Sequence, residues 1–72
     1  MTEPLDCRDL QCPMPIVKLS LAVRELASGE SLTIEATDPA FEADLRAWSQ
    51  MTGHTIEDFE RGDVQRARIQ VA

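Results

Sequence analysis

The stretch Cys12-Pro13-Met14-Pro15 limits what this chain can fold into more than any other. Proline fixes φ and carries no N–H, so a helix accepts it only in the first turn, where the N–H groups lack partners anyway. Two prolines spaced this way, ahead of an apolar helical pattern, mark a helix start and place Cys12 at or just before it. A thiol there faces the positive end of the helix dipole, which favours the thiolate and lowers the pKa. The expectation is a reactive cysteine.

Size bounds the rest. A chain of 72 residues is read as a single domain, residues 1–72, near the lower limit for a self-sufficient core. A domain of this size buries roughly 60% of its unfolded surface, which leaves little core to wall a deep cleft. A formal net charge of −6 argues against direct nucleic-acid binding, which depends on Lys and Arg neutralising phosphate. Met1-Thr2-Glu3-Pro4 has neither a charged-then-apolar signal region nor a small-residue cleavage site. No apolar run approaches membrane-spanning length. Two cysteines without a secretion signal suggest a reducing compartment, with the cytoplasm as the expected location.

The pattern along the chain names the elements. Leu5 and Cys7 share the parity of a short first strand. From Pro13 to Ala27, Ile16, Leu19, Val23 and Leu26 recur at helical spacing, and Gly29 reads as the terminator. Ser31 to Thr37 alternates, with Leu32, Ile34 and Ala36 inward and Thr33 and Glu35 outward. Asp38-Pro39 reads as an N-cap followed by proline at the first helical position. Phe41, Leu45 and Trp48 follow at helical spacing, with Met51 near the end and Gly53 as the stop. His54 to Glu60 is a weaker strand in which Ile56 and Phe59 have opposite parity, so a bulge or an early end is expected. Arg61-Gly62-Asp63 is a turn, and Ala67, Ile69 and Val71 mark a final core-facing strand.

The order is βαβαββ. A right-handed crossover makes the first two strands parallel, and the last two form an antiparallel hairpin. Outward strand positions are polar (Thr33, Glu35, Arg66, Arg68, Gln70), so both helices cover one face of a four-stranded mixed sheet. The fold class is α/β (α+β), a two-layer βαβαββ sandwich. Both helices start at the carboxyl end of the parallel pair, the edge where open α/β sheets place chemistry. Cys12 and the Asp38-Pro39 turn are expected to be neighbours there.

At this point the chain resembles a known family. Leu5-Asp6 followed by Leu10-x-Cys12-Pro13-x-Pro15, then Gly29-Glu30, Asp38-Pro39 and Gly53-His54, is similar to the TusA/SirA-like family of small sulfur carriers, over about Leu5 to Val71. The resemblance implies a two-layer sandwich whose CPxP cysteine, Cys12 here, carries sulfane sulfur as a persulfide. It also implies protein partners: cysteine desulfurases or rhodanese-like donors, and acceptors in tRNA thiolation, cofactor assembly or sulfur oxidation. Asp9 stands where that family commonly has glycine. If its backbone needs positive φ, aspartate tolerates this at a cost of about 1 kcal/mol. Its carboxylate would disfavour a nearby thiolate, with Arg8 as a possible offsetting charge.

The residues themselves leave several readings open. Sulfur transfer needs an accessible thiolate, and the rate follows thiolate fraction, nucleophilicity and access. With Pro13 and Pro15 removing two donors, the N–H groups of Met14 and Ile16 are the ones expected to solvate the sulfur. The bland alternative is a helix-capping cysteine without chemistry. Cys7 reads as a small core residue, or else as a resolving thiol in a redox module with Cys12. Asp38 is a cap that also shapes the Cys12 environment. Arg8, Lys18 and Arg24 are either a basic rim that steers a partner or ordinary solvated surface, and Met14, Val17 and Leu21 form a candidate docking patch off the apolar stripe. No cofactor or metal is expected: Cys7, Cys12 and His54 lack zinc-site spacing, and His54 reads as an ordinary polar turn residue. Nothing resembles a coiled-coil seam, so a monomer or weak oligomer is expected. A non-catalytic protein-binding domain is the remaining alternative.

Overall fold

Leu32, Ile34 and Ala36 on one strand and Ala67 and Ile69 on another point to the same side of one sheet, and that side is where both helices lie. The structure, a computed structural model, describes residues 4–72. The reading of Met1-Thr2-Glu3 therefore falls outside the described residues. The elements are β1 Leu5–Cys7, α1 Met14–Val23, β2 Ser31–Ala36, α2 Phe41–Thr52, β3 Thr55–Glu60 and β4 Gln65–Gln70. This is the expected βαβαββ order.

The sheet order is β1-β2-β4-β3. β1 runs parallel to β2, with Leu5 opposite Ile34 and Cys7 opposite Ala36. β4 is antiparallel to both β2 and β3, so the last strand lies inside the sheet and the third forms an edge. Pairing of β3 with β4 slips between Ile56 and Asp58. The extra residue is Glu57, and it lets both Ile56 and Phe59 pack against the core despite their opposite parity. Glu57 turns to the uncovered face, where it meets Arg68 at 3.2 Å and accepts a hydrogen bond from Ser31 Oγ at 3.0 Å.

Leu19 and Val23 from α1 and Phe41, Leu45 and Trp48 from α2 fill the space over the sheet. Trp48 Nε1–H donates to Ser20 Oγ at 3.1 Å and ties the two helices together. Gly53 closes α2 with φ of 83°, the left-handed conformation that spares glycine a Cβ clash. Its neighbour His54 stacks near Trp48 and accepts the Ala72 N–H on Nδ1 at 3.0 Å. It pins the end of β4 and is not merely a polar turn residue.

Three expectations need correction. Helix α1 ends at Val23, not Ala27: Glu25 and Leu26 N–H groups bond three residues back, to Ala22 and Val23, tightening the chain into a turn. Gly29 is thus not a helix cap but a turn residue with φ of 89°, its N–H given to the Val71 carbonyl. Met51, which ends the apolar spacing of α2, lies outside the core at 86% exposure.

Leu45 is fully buried, whereas Met51 on the same helix is exposed. Leu45→Ala should cost about 2–5 kcal/mol through lost burial and cavity, and Met51→Ala should stay within about 0.5 kcal/mol. Urea unfolding followed by Trp48 fluorescence measures both. Equal losses would contradict this packing.

Candidate functional site

The loop after β1 and the loop after β2 leave the same edge of the sheet because their strands are parallel neighbours. They are stitched together. The Asp9 N–H donates to Thr37 Oγ1 at 2.8 Å, and the Cys12 N–H donates to Asp38 Oδ2 at 2.6 Å. Asp9 has a φ of 65°, so this position does adopt the left-handed conformation, and aspartate stands where a side chain is usually disfavoured. Between the loops is an open cleft of about 490 Å³, lined by residues 9–12 and 37–39. Cys12 is on its rim and exposed.

Helix α1 starts at Met14 with Pro13 in the cap position and Pro15 in the first turn, as its sequence demands. The Cys12–Pro13 peptide is cis. The two prolines do different things. Pro13 is exposed beside the cysteine, whereas Pro15 is fully buried and anchors the start of the helix in the core. The Met14 N–H, expected to help solvate the sulfur, is instead given to the Gln11 carbonyl at 2.8 Å.

Asp38 is not the N-cap of α2. That helix begins at Phe41 behind Ala40, and Asp38 opens the turn one step earlier. Its Oδ1 accepts the Ala40 N–H at 3.1 Å, and its other carboxylate oxygen holds Cys12. One carboxylate thus fixes both the approach to α2 and the backbone of the cysteine. The expected neighbourhood of Cys12 and Asp38 is what the structure shows.

Electrostatics run opposite to expectation. Cys12 Sγ and one carboxylate oxygen each from Asp38 and Asp44 lie within 4.8 Å of one another. The thiol is pushed up from its ordinary value, first by hydrogen bonding to Asp44, then by partial loss of water and the charges of Asp44 and Asp38. The helix dipole loses because proline removes two of the first N–H groups and Gln11 occupies a third. Asp9, the suspected carboxylate, is not among the groups that move the thiol. Asp44 is not among the residues that motif and spacing single out, yet the sequence carries a signal for it. It stands three residues after Phe41 and four before Trp48, a carboxylate on the edge of an otherwise apolar stripe.

The family model described as "Sulfurtransferase TusA" matches residues 3–71. The chain belongs to the TusA family. It is 45% identical over 67 residues to "Putative sulfur carrier protein YrkI" of Bacillus subtilis, covering 92% of this chain and 89% of that protein. A protein of Halobacterium salinarum described in the same words, a putative sulfur carrier, is 42% identical over 64 residues, 88% of this chain and 79% of that one. The match to "Putative sulfur carrier protein YrkF" of Bacillus subtilis is 52% identical over 50 residues, 69% of this chain but 27% of YrkF. A sulfur-carrier role is what this membership supports.

In this TusA-family chain the other named residues take separate places. Cys7 is fully buried opposite Ala36, and burial pushes its thiol up. The trio Cys7, Cys12 and His54 is not brought together: Cys7 lies in the core and His54 beyond α2. Cys12, Asp38 and Asp44 offer three atoms of mixed hardness, one short of a structural zinc set. Arg8 and Lys18 converge on Asp6: Arg8 pairs with its carboxylate at 3.0 Å, and Lys18 Nζ donates to its carbonyl at 3.4 Å. The Arg8 guanidinium holds the Asp6 carboxyl at about 2, so the charge expected to offset Asp9 is committed elsewhere. Met14, Val17 and Leu21 are exposed along one face of α1, as the pattern predicted.

Asp38→Ala removes both the Cys12 and the Ala40 bonds. It should accelerate hydrogen exchange of the Cys12 amide at least severalfold and lower stability by about 1–3 kcal/mol. Exchange by NMR and urea unfolding check this. An unchanged Cys12 amide would show that the two loops are held by other means.

Proposed function

We propose that Cys12 carries sulfane sulfur as a persulfide, taking it from a donor protein and passing it to an acceptor. The observation that carries this reading is the position of Cys12 in a TusA-family chain: the exposed cysteine at the open cleft, ahead of α1. Cys7 is a core residue without access. The proposal also covers the wider setting: one relay domain, protein partners on both sides of the transfer, and a reducing compartment such as the cytoplasm. Among the described residues, no helix is long and apolar enough to cross a membrane.

Loading is a thiol exchange in form. The Cys12 sulfur attacks the outer sulfur of a donor persulfide. The donor S–S bond breaks, and its electron pair leaves with the inner sulfur as a thiolate, which takes up the proton that Cys12 releases. A new S–S bond joins Cys12 to the transferred sulfur, with no net oxidation or reduction. Delivery repeats the step with an acceptor thiolate attacking the terminal sulfur. Pro13 and the Asp38 bond hold the Cys12 backbone in one direction at the cleft rim, leaving the terminal sulfur to project outward. The cleft is open, which suits a protein surface better than an enclosed small molecule. Arg8, Met14 and Lys18, exposed near the start of α1, are the side chains proposed to meet the partner.

Incubation with a cysteine desulfurase and cysteine should add the mass of one sulfur atom to the intact protein, and a reductant should remove it. Cys12→Ser should abolish the addition, whereas Cys7→Ser should retain it. An unmodified spectrum, or equal modification of the Cys12→Ser protein, would overturn the proposal.

A further inference from the structure

The acidic side chains around Cys12 differ in what else they hold. Asp38 is committed: each of its carboxylate oxygens accepts a backbone N–H, from Ala40 and from Cys12. Asp44, reaching in from a different element, is in no ion pair among the described residues. Five of the six arginines are paired elsewhere: Arg8 with Asp6, Arg46 and Arg61 with Glu42, Arg66 with Glu35, and Arg68 with Glu57. Lys18 donates to the Asp6 carbonyl, and neither it nor Arg24 is among the groups that move the Cys12 thiol. Among the described residues, no cation is paired with the carboxylates beside the cysteine other than backbone N–H groups on Asp38, in a chain whose formal net charge is −6. Asp9 lines the same cleft and adds to that sign. Arg8 and Lys18 lie on the same side of the molecule but are engaged with Asp6, not with Asp44.

We propose that Asp44 is a positioning residue that keeps Cys12 a protonated thiol at rest and makes it reactive when a partner protein brings a cationic side chain to its carboxylate. The proposal rests on the carrier reading and supplies its regulation. A carboxylate oxygen of Asp44 lies within 4.8 Å of the Cys12 sulfur, close enough for its charge to repel the thiolate and favour the S–H form. An arginine or lysine delivered by the partner removes that repulsion, the thiol proton leaves to solvent, and the sulfur is freed to attack. The occupant is thus a protein surface with a guanidinium or ammonium group at its own sulfur-bearing site. In the absence of that partner, the exposed Cys12 resists small oxidants and electrophiles, because the thiolate is the reactive species. The raised Cys12 pKa agrees with this placement.

Charged and neutral thiol reagents test this without any donor protein, so failure of sulfur loading and failure of this proposal are separable. In the first measurement, the pH–rate profile of Cys12 with iodoacetamide is recorded for the wild type and for Asp44→Asn. The variant should shift to lower pH. A shift of one unit raises thiolate about tenfold but lowers nucleophilicity, for a net gain of about threefold at neutral pH. In the second, wild-type protein is treated with a trimethylammonium methanethiosulfonate and with its sulfonate counterpart, each normalised to a free small thiol. The cationic reagent should win by about threefold or more. That preference should shrink in 0.5 M salt and in Asp44→Asn. Where Asp44→Asn disturbs the fold, Asp44→Ser takes its place in both measurements, because a formal net charge of −6 alone gives a salt-sensitive preference. An unshifted profile in a folded Asp44→Asn protein, or a wild-type preference that is absent or indifferent to salt, would overturn the proposal.

Discussion

Everything at the sulfur site follows from a three-residue parallel pairing. β1 has room for Leu5, Asp6 and Cys7 only, set against Ile34, Glu35 and Ala36. The crossover through α1 is what brings two strands this short side by side in the same direction. Their common direction puts the ends of both strands, and hence the starts of both helices, on one edge. Cys12 and Asp38 come from loops 26 residues apart in sequence and meet at 2.6 Å because of that pairing. Were the strands antiparallel, the cysteine and the carboxylates would sit at opposite ends of the sheet.

The core explains why the site is shallow. One sheet face and two helices form a single apolar layer, closed by Phe41, Leu19, Ile34, Leu45 and Ile69. Nothing is left over to wall an enclosed pocket, and the other sheet face is a lattice of exposed ion pairs. Ion pairs of that kind contribute little stability, so the burden falls on the apolar layer and on the two prolines and glycines at its turns. A fold of this shape leaves Cys12 at the surface, where another protein can reach it directly.

Much of this was legible in the residues. Alternation in β2 and the Phe41, Leu45, Trp48 spacing specify their elements through burial alone, and the parity conflict of Ile56 and Phe59 announces the bulge. The meeting of Cys12 with Asp38 follows from the parallel pairing of β1 with β2. What escaped depends on contacts that periodicity does not encode. Leu26 continues the apolar spacing of α1, yet the chain tightens into a turn after Val23. Pro15 reads as a helix starter and is also a core residue. The ionisation of Cys12 was misjudged because the helix-dipole argument counts N–H groups without asking which are missing or already given away. It also overlooked Asp44, whose approach to the thiol depends on the packing of α2 against the loop before α1.

The account therefore turns on Cys12 being placed among carboxylates at a shared sheet edge and resting as a thiol. A titration of the Cys12 13Cβ chemical shift in the free protein measures this most directly, since that carbon reports the protonation of its own sulfur. The account predicts the thiol form throughout the neutral range, with a midpoint above that of an ordinary cysteine. A midpoint below the ordinary value, with thiolate present at neutral pH, would contradict it.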